Sequence, residues 1–63
     1  MARVNVESTS EPTLIEKLAK RCKGEFFSSW NGTLQFGFTT RANANLFCRL
    51  VEREMHLKTE IIG

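Results

Sequence analysis

Residues 25–39 read EFFSSWNGTLQFGFT, and the two runs on either side of Asn31-Gly32 decide the fold. Each run is rich in aromatic or β-branched residues. Asn-Gly between such runs is the strongest short-range mark of a β-hairpin, because a type I′ turn needs positive φ at both central positions. A two-residue turn also fixes register. It pairs Trp30 with Thr33, Ser29 with Leu34, Ser28 with Gln35, Phe27 with Phe36, and Phe26 with Gly37. Phe27, Leu34, Phe36 and Phe38 then share a face, and apolar side chains of that size belong against a core. The other face carries Phe26, Ser28, Trp30, Thr33, Gln35 and Gly37.

Upstream, residues 2–7 alternate Ala2, Val4 and Val6 with Arg3, Asn5 and Glu7, the period of a half-buried strand. Ser8-Thr9-Ser10 breaks it, Ser10 or Thr9 is a helix cap, and Pro12 suits a first helical turn. Leu14, Ile15, Leu18, Ala19 and Cys22 follow on one helical face, with Glu16, Lys17, Lys20, Arg21 and Lys23 on the other. Gly24 sits where a left-handed C-cap is expected. Downstream, Thr39 or Thr40 caps a second helix running to about His56, with Ala44, Phe47, Cys48, Leu50, Val51 and Met55 as its apolar stripe. Leu46 falls off that stripe. Residues 57–62 read as a short strand with Leu57, Thr59 and Ile61 on one face.

The order β-α-β-β-α-β is that of the ferredoxin-like α+β folds, here in nearly minimal form. The expectation is one domain over residues 1–63: an antiparallel sheet, right-handed crossovers, and both helices on one face. A chain of 63 residues buries only about 60% of the surface its unfolded form exposes. Domains this small commonly draw extra burial from a staple, a metal or a partner. Two cysteines far apart and one histidine do not make a disulfide framework or a four-ligand zinc site. No apolar run reaches the roughly 20 residues that span a membrane, and the N-terminus lacks a secretory apolar core. A cytoplasmic location is the expectation.

With both helices on one side, the face bearing Phe26 and Trp30 has nothing over it. Exposed apolar patches on small domains mark interfaces, and Trp is enriched among binding hot spots. The sequence therefore predicts a non-catalytic binding module of inhibitor or accessory-subunit type. It acts by self-association as a homodimer or by capturing a protein partner. Phe26 and Trp30 are the anchors, and Thr33, Gln35 and Arg3 the polar rim. No cofactor, metal or small-molecule substrate is expected.

The alternative is nucleic acid, held by Lys17, Lys20, Arg21 and Lys23 on the first helix. RNA-recognition domains share the element order and stack bases on the open sheet face. Here the third strand lacks their Gly- and aromatic-rich signature, and Arg3, Asn5 and Glu7 put no aromatic on the first strand. Net charge is only +2, and the basic cluster lies on the side away from the open face. Residues 33–62 resemble a half-unit of LAGLIDADG-type DNA-binding domains in their strand, helix and closing Ile61-Ile62, but residues 11–24 lack that family's acidic helix motif.

Catalytic patterns are absent. His56 has Glu52 one turn before it, a common surface pair. Acylphosphatases of this architecture carry an Arg in the loop after the first strand, and residues 8–10 have none. Metal-chaperone domains need paired cysteines in one loop, whereas Cys22 and Cys48 lie on apolar stripes. No enzyme is expected.

Overall fold

A computed structural model describes residues 2–7 and 12–62. The elements are β1 (Ala2–Glu7), α1 (Pro12–Arg21), β2 (Gly24–Trp30), β3 (Thr33–Phe38), α2 (Arg41–Met55) and β4 (Thr59–Ile62). The expected break and cap at residues 8–10, and Gly63, lie outside the described residues. The fold is α+β. Four strands form one sheet in the order β2-β3-β1-β4, with every neighbouring pair antiparallel. The two central strands are β1 and β3, so β2 and β4 are the edges.

Burial follows the sequence periods. In β1 the alternation sends Ala2, Val4 and Val6 inward. Phe36 and Phe38 meet them from β3, while Ile15, Leu18 and Ala19 of α1 and Ala44, Phe47 and Val51 of α2 close the core from above. Phe47 packs on both strand aromatics, with ring centroids 5.3 Å from Phe36 and 5.0 Å from Phe38. Because Ala2, Val4, Val6, Phe36 and Phe38 share one cluster with residues of both helices, both helices cover the same face. Leu14 departs from its expected buried place and is exposed, while Leu46 is exposed as its off-stripe position implies.

Helix α2 begins where Thr40 accepts a hydrogen bond from the Asn43 amide at 3.1 Å, satisfying one of the first-turn donors. It ends at His56, whose left-handed backbone (φ 55°) directs its amide to the Glu52 carbonyl. At the end of α1 the left-handed position falls on Lys23 (φ 60°), not on Gly24. Gly24 instead opens β2 opposite Phe38. A Cβ there would stand 2.7 Å from both Cδ2 and Cζ of the Phe38 ring, so close approach, not a turn, requires glycine.

The hairpin turn is as expected, with φ positive at Asn31 (45°) and Gly32 (77°). Trp30 pairs with Thr33, Ser29 with Leu34, and Ser28 with Gln35. The register then breaks: a β-bulge between Phe26 and Ser28 leaves Phe27 without a partner, and Phe26, not Phe27, stands opposite Phe36. The expected pairs Phe27–Phe36 and Phe26–Gly37 do not form. One side chain explains the correction. An unbroken ladder would put Glu25 opposite Phe38 on the core face. The bulge turns Glu25 to the face of Gly37 and brings Gly24 under the Phe38 ring.

Candidate functional site

The sheet face away from the helices carries three rows of side chains set by the ladder. The first row holds Glu25, Gly37, Arg3 and Ile62, the second Ser28, Gln35, Asn5 and Glu60. The third holds Trp30, Thr33 and Glu7, and the Glu7 amide extends the ladder by bonding the Lys58 carbonyl at 3.2 Å. No described element covers this face.

Four of the five expected interface residues lie here: Arg3, Trp30, Thr33 and Gln35. Phe26 does not. The bulge carries it to the helix side, where its ring meets Phe36 edge-on at 5.8 Å. Phe27 takes its place on the open face, beneath the Arg3 guanidinium, whose carbon stands 4.0 Å from the ring centroid. Arg3 and Phe27 belong to strands two apart, and the strand between them offers Gly37. A residue with no side chain leaves that space open to the Arg3 stem.

Three apolar side chains stand out of the face: Phe27 is 47% exposed, Trp30 45% and Ile62 41%. Gln35 is only 8% exposed and donates to the Asn5 carboxamide oxygen at 3.0 Å, which pins the middle row. Below it, Asn5, Glu7, Thr33, Lys58, Thr59 and Glu60 line a shallow depression of about 340 Å³. The face thus holds two cations, Arg3 and Lys58, against three carboxylates, Glu7, Glu25 and Glu60. Phe27, Glu25 and Ile62 are the members that a straight ladder misses. The clue to the first two was Glu25 itself, which has no place on a core face.

The alternative set is also brought together. Lys17, Lys20 and Arg21 on α1, and Lys23 just beyond it, are all exposed on the helix layer. Lys17 and Arg21 border a groove of about 330 Å³ whose floor is Leu14, Leu18 and Met55 and whose far side is Glu54.

The remaining chemistry-bearing groups lie in the helix layer. Cys22 is buried and Cys48 half-buried, both as free thiols. Burial pushes both thiols above the ordinary value of 9.0; a hydrogen bond with Thr59 opposes the shift at Cys48, and nearby Glu52 adds to it. Both shifts run opposite to the lowered pKa of an activated cysteine nucleophile. His56 serves as the α2 cap. Among the described residues no three His, Cys, Asp or Glu side chains gather as a metal site. No described helix is long and apolar enough to cross a membrane. Comparison with protein-family models, with curated proteins and with solved structures finds no match.

Proposed function

We propose that this chain is a ferredoxin-like, non-catalytic binding module that works by closing its open sheet face against a second copy of itself, as an accessory-type subunit. The strand order supports the fold reading: β1 and β3 are central, and each helical crossover passes over one strand. The observation that carries the functional reading is the pair Phe27 and Trp30, half exposed on a face that no described element covers. Rings like these bury large apolar areas, and desolvated aromatics dominate interface energetics. The charges on the face favour protein over nucleic acid. A strand of phosphates needs stacking rings together with positive charge, and here the carboxylates outnumber the cations.

Size-exclusion chromatography with light scattering over a concentration series tests this. The mass should rise from 7.2 kDa towards twice that value. Trp30→Ala and Phe27→Ala should hold it at the monomer. A monomeric mass at every concentration overturns the reading.

A second reading rests on the exposed cluster Lys17, Lys20, Arg21 and Lys23. If nucleic acid binds there, charge reversal at Lys20 and Arg21 abolishes its retention at low salt. Absence of retention by the unaltered protein ends this second reading.

A further inference from the structure

The ladder register says how two such faces would meet. The middle row, Ser28, Gln35, Asn5 and Glu60, lies halfway between Arg3 and Glu7 on β1 and between Glu25 and Trp30 on β2, with the bulged Phe27 on the Glu25 side of it. A two-fold axis along this row, perpendicular to the strands, exchanges the rows on either side of it. It sets Arg3 over the partner's Glu7 and Glu25 over the partner's Trp30, repeats both contacts by symmetry, and encloses the Phe27 ring that lies against Arg3. An axis parallel to the strands instead sets Arg3 over the partner's Gly37 and Glu7 over the partner's Thr33, leaving both charges without a partner. We propose that this chain forms a two-fold dimer with its sheets face to face, β1 over β1 in opposite directions, joined by two Arg3–Glu7 ion pairs with Phe27 and Trp30 of both copies buried in the seam.

Charge complementarity selects this orientation, and area permits it. Four strands at about 4.8 Å and six residues at about 3.3 Å give a flat footprint of roughly 19 by 20 Å per copy. With side-chain relief this falls near the small end of specific interfaces, about 1,200 Å² in total, so the dimer should be reversible. Packed sheets rotate by about 30° relative to each other, which long side chains such as Arg and Trp absorb. The Arg3 guanidinium, already stacked on Phe27, then binds its carboxylate from a fixed position. The one like-charge contact is Glu60 with the partner's Glu60, on the edge strand where water screens it.

The proposal rests on the self-association reading, and a charge exchange separates the two. Dimerisation is measured by sedimentation equilibrium in about 150 mM salt, which limits long-range steering. Arg3→Glu and Glu7→Arg each create two like-charge contacts and should weaken dimerisation at least tenfold. The double variant Arg3→Glu/Glu7→Arg, with unchanged net charge, should recover to within about fivefold of the unaltered protein. An equimolar mixture of the two single variants should form a heterodimer, since all four charges then face opposites. Glu60→Gln should tighten the dimer. Circular dichroism confirms that each variant is folded. A dimer that is disrupted by Trp30→Ala but not rescued by the exchange overturns this geometry and leaves the open-face reading standing. A monomer throughout overturns both.

Discussion

Replacing Gly24 by Ala tests the bulge on which the composition of the open face depends. On strand propensity alone the change stabilises, because glycine in a strand interior costs roughly 0.5–1 kcal/mol relative to alanine. The structure reverses the sign. The new Cβ would lie 2.7 Å from two carbons of the Phe38 ring, a ring that is fully buried and packed against Phe47. Forcing a methyl into a packed core costs about 1–3 kcal/mol. From the middle of each range the net loss should be about 1 kcal/mol, and at about 4–8 °C per kcal/mol for a domain of this size the melting temperature should fall by that much. Thermal and urea unfolding followed by circular dichroism measure it. The same substitution in a Phe38→Leu background, where the shorter side chain can yield, should cost distinctly less. An unchanged or raised melting temperature, or an equal cost in both backgrounds, would refute the pairing of Gly24 with Phe38 and the bulge with it.

The two adjacent phenylalanines should separate cleanly. Phe26→Ala loses a half-buried ring and its edge contact with Phe36, about 1–3 kcal/mol of stability, with the open face intact. Phe27→Ala should cost less than about 1 kcal/mol of stability, the stack under Arg3, yet abolish association. Reversed outcomes would restore the unbroken ladder. Thr40→Ala removes the α2 cap and should lower stability by about 1 kcal/mol in urea melts, and Thr40→Ser should restore most of it. Both thiols have folded-state values raised above 9.0, so the stability they contribute is present below that pH and is lost as pH climbs through the raised values. Urea midpoints should fall with alkalinity above about pH 9, less steeply in Cys22→Ala, and an identical fall in that variant would contradict the assignment.

The parts of the fold legible in the sequence were those governed by short periods and local chemistry. The alternation of Ala2, Val4 and Val6 fixed β1, the helical spacing of Ile15, Leu18 and Ala19 fixed the buried face of α1, and positive φ at Asn31-Gly32 fixed the turn. Register propagates from a turn only until the chain gains or loses a residue, so the pairs from Trp30 to Ser28 were read correctly and those beyond Phe27 were not. Either phenylalanine satisfies the core, so hydrophobicity alone could not choose between them. The misplacement of Glu25 on the core face could have chosen. Gly24 was open to two explanations, a helix cap and close approach, and only the position of the Phe38 ring decides. Trp30, Thr33, Gln35 and Arg3 were placed correctly because each lies on the turn side of the bulge or on β1. What the face binds is not written in periodicity at all; it rests on exposure and charge that appear once four strands lie side by side.

Trp30 is the sole tryptophan, so its fluorescence reports the state of the open face without a label. Acrylamide quenching across a protein concentration series, run beside light scattering, is the direct measurement. The indole should be freely quenched in the dilute monomer and become shielded, with a blue-shifted emission, over the same concentrations at which the mass doubles. An indole shielded even in the monomer would place it under the helices. One that stays open while the mass doubles would put the contact on another surface.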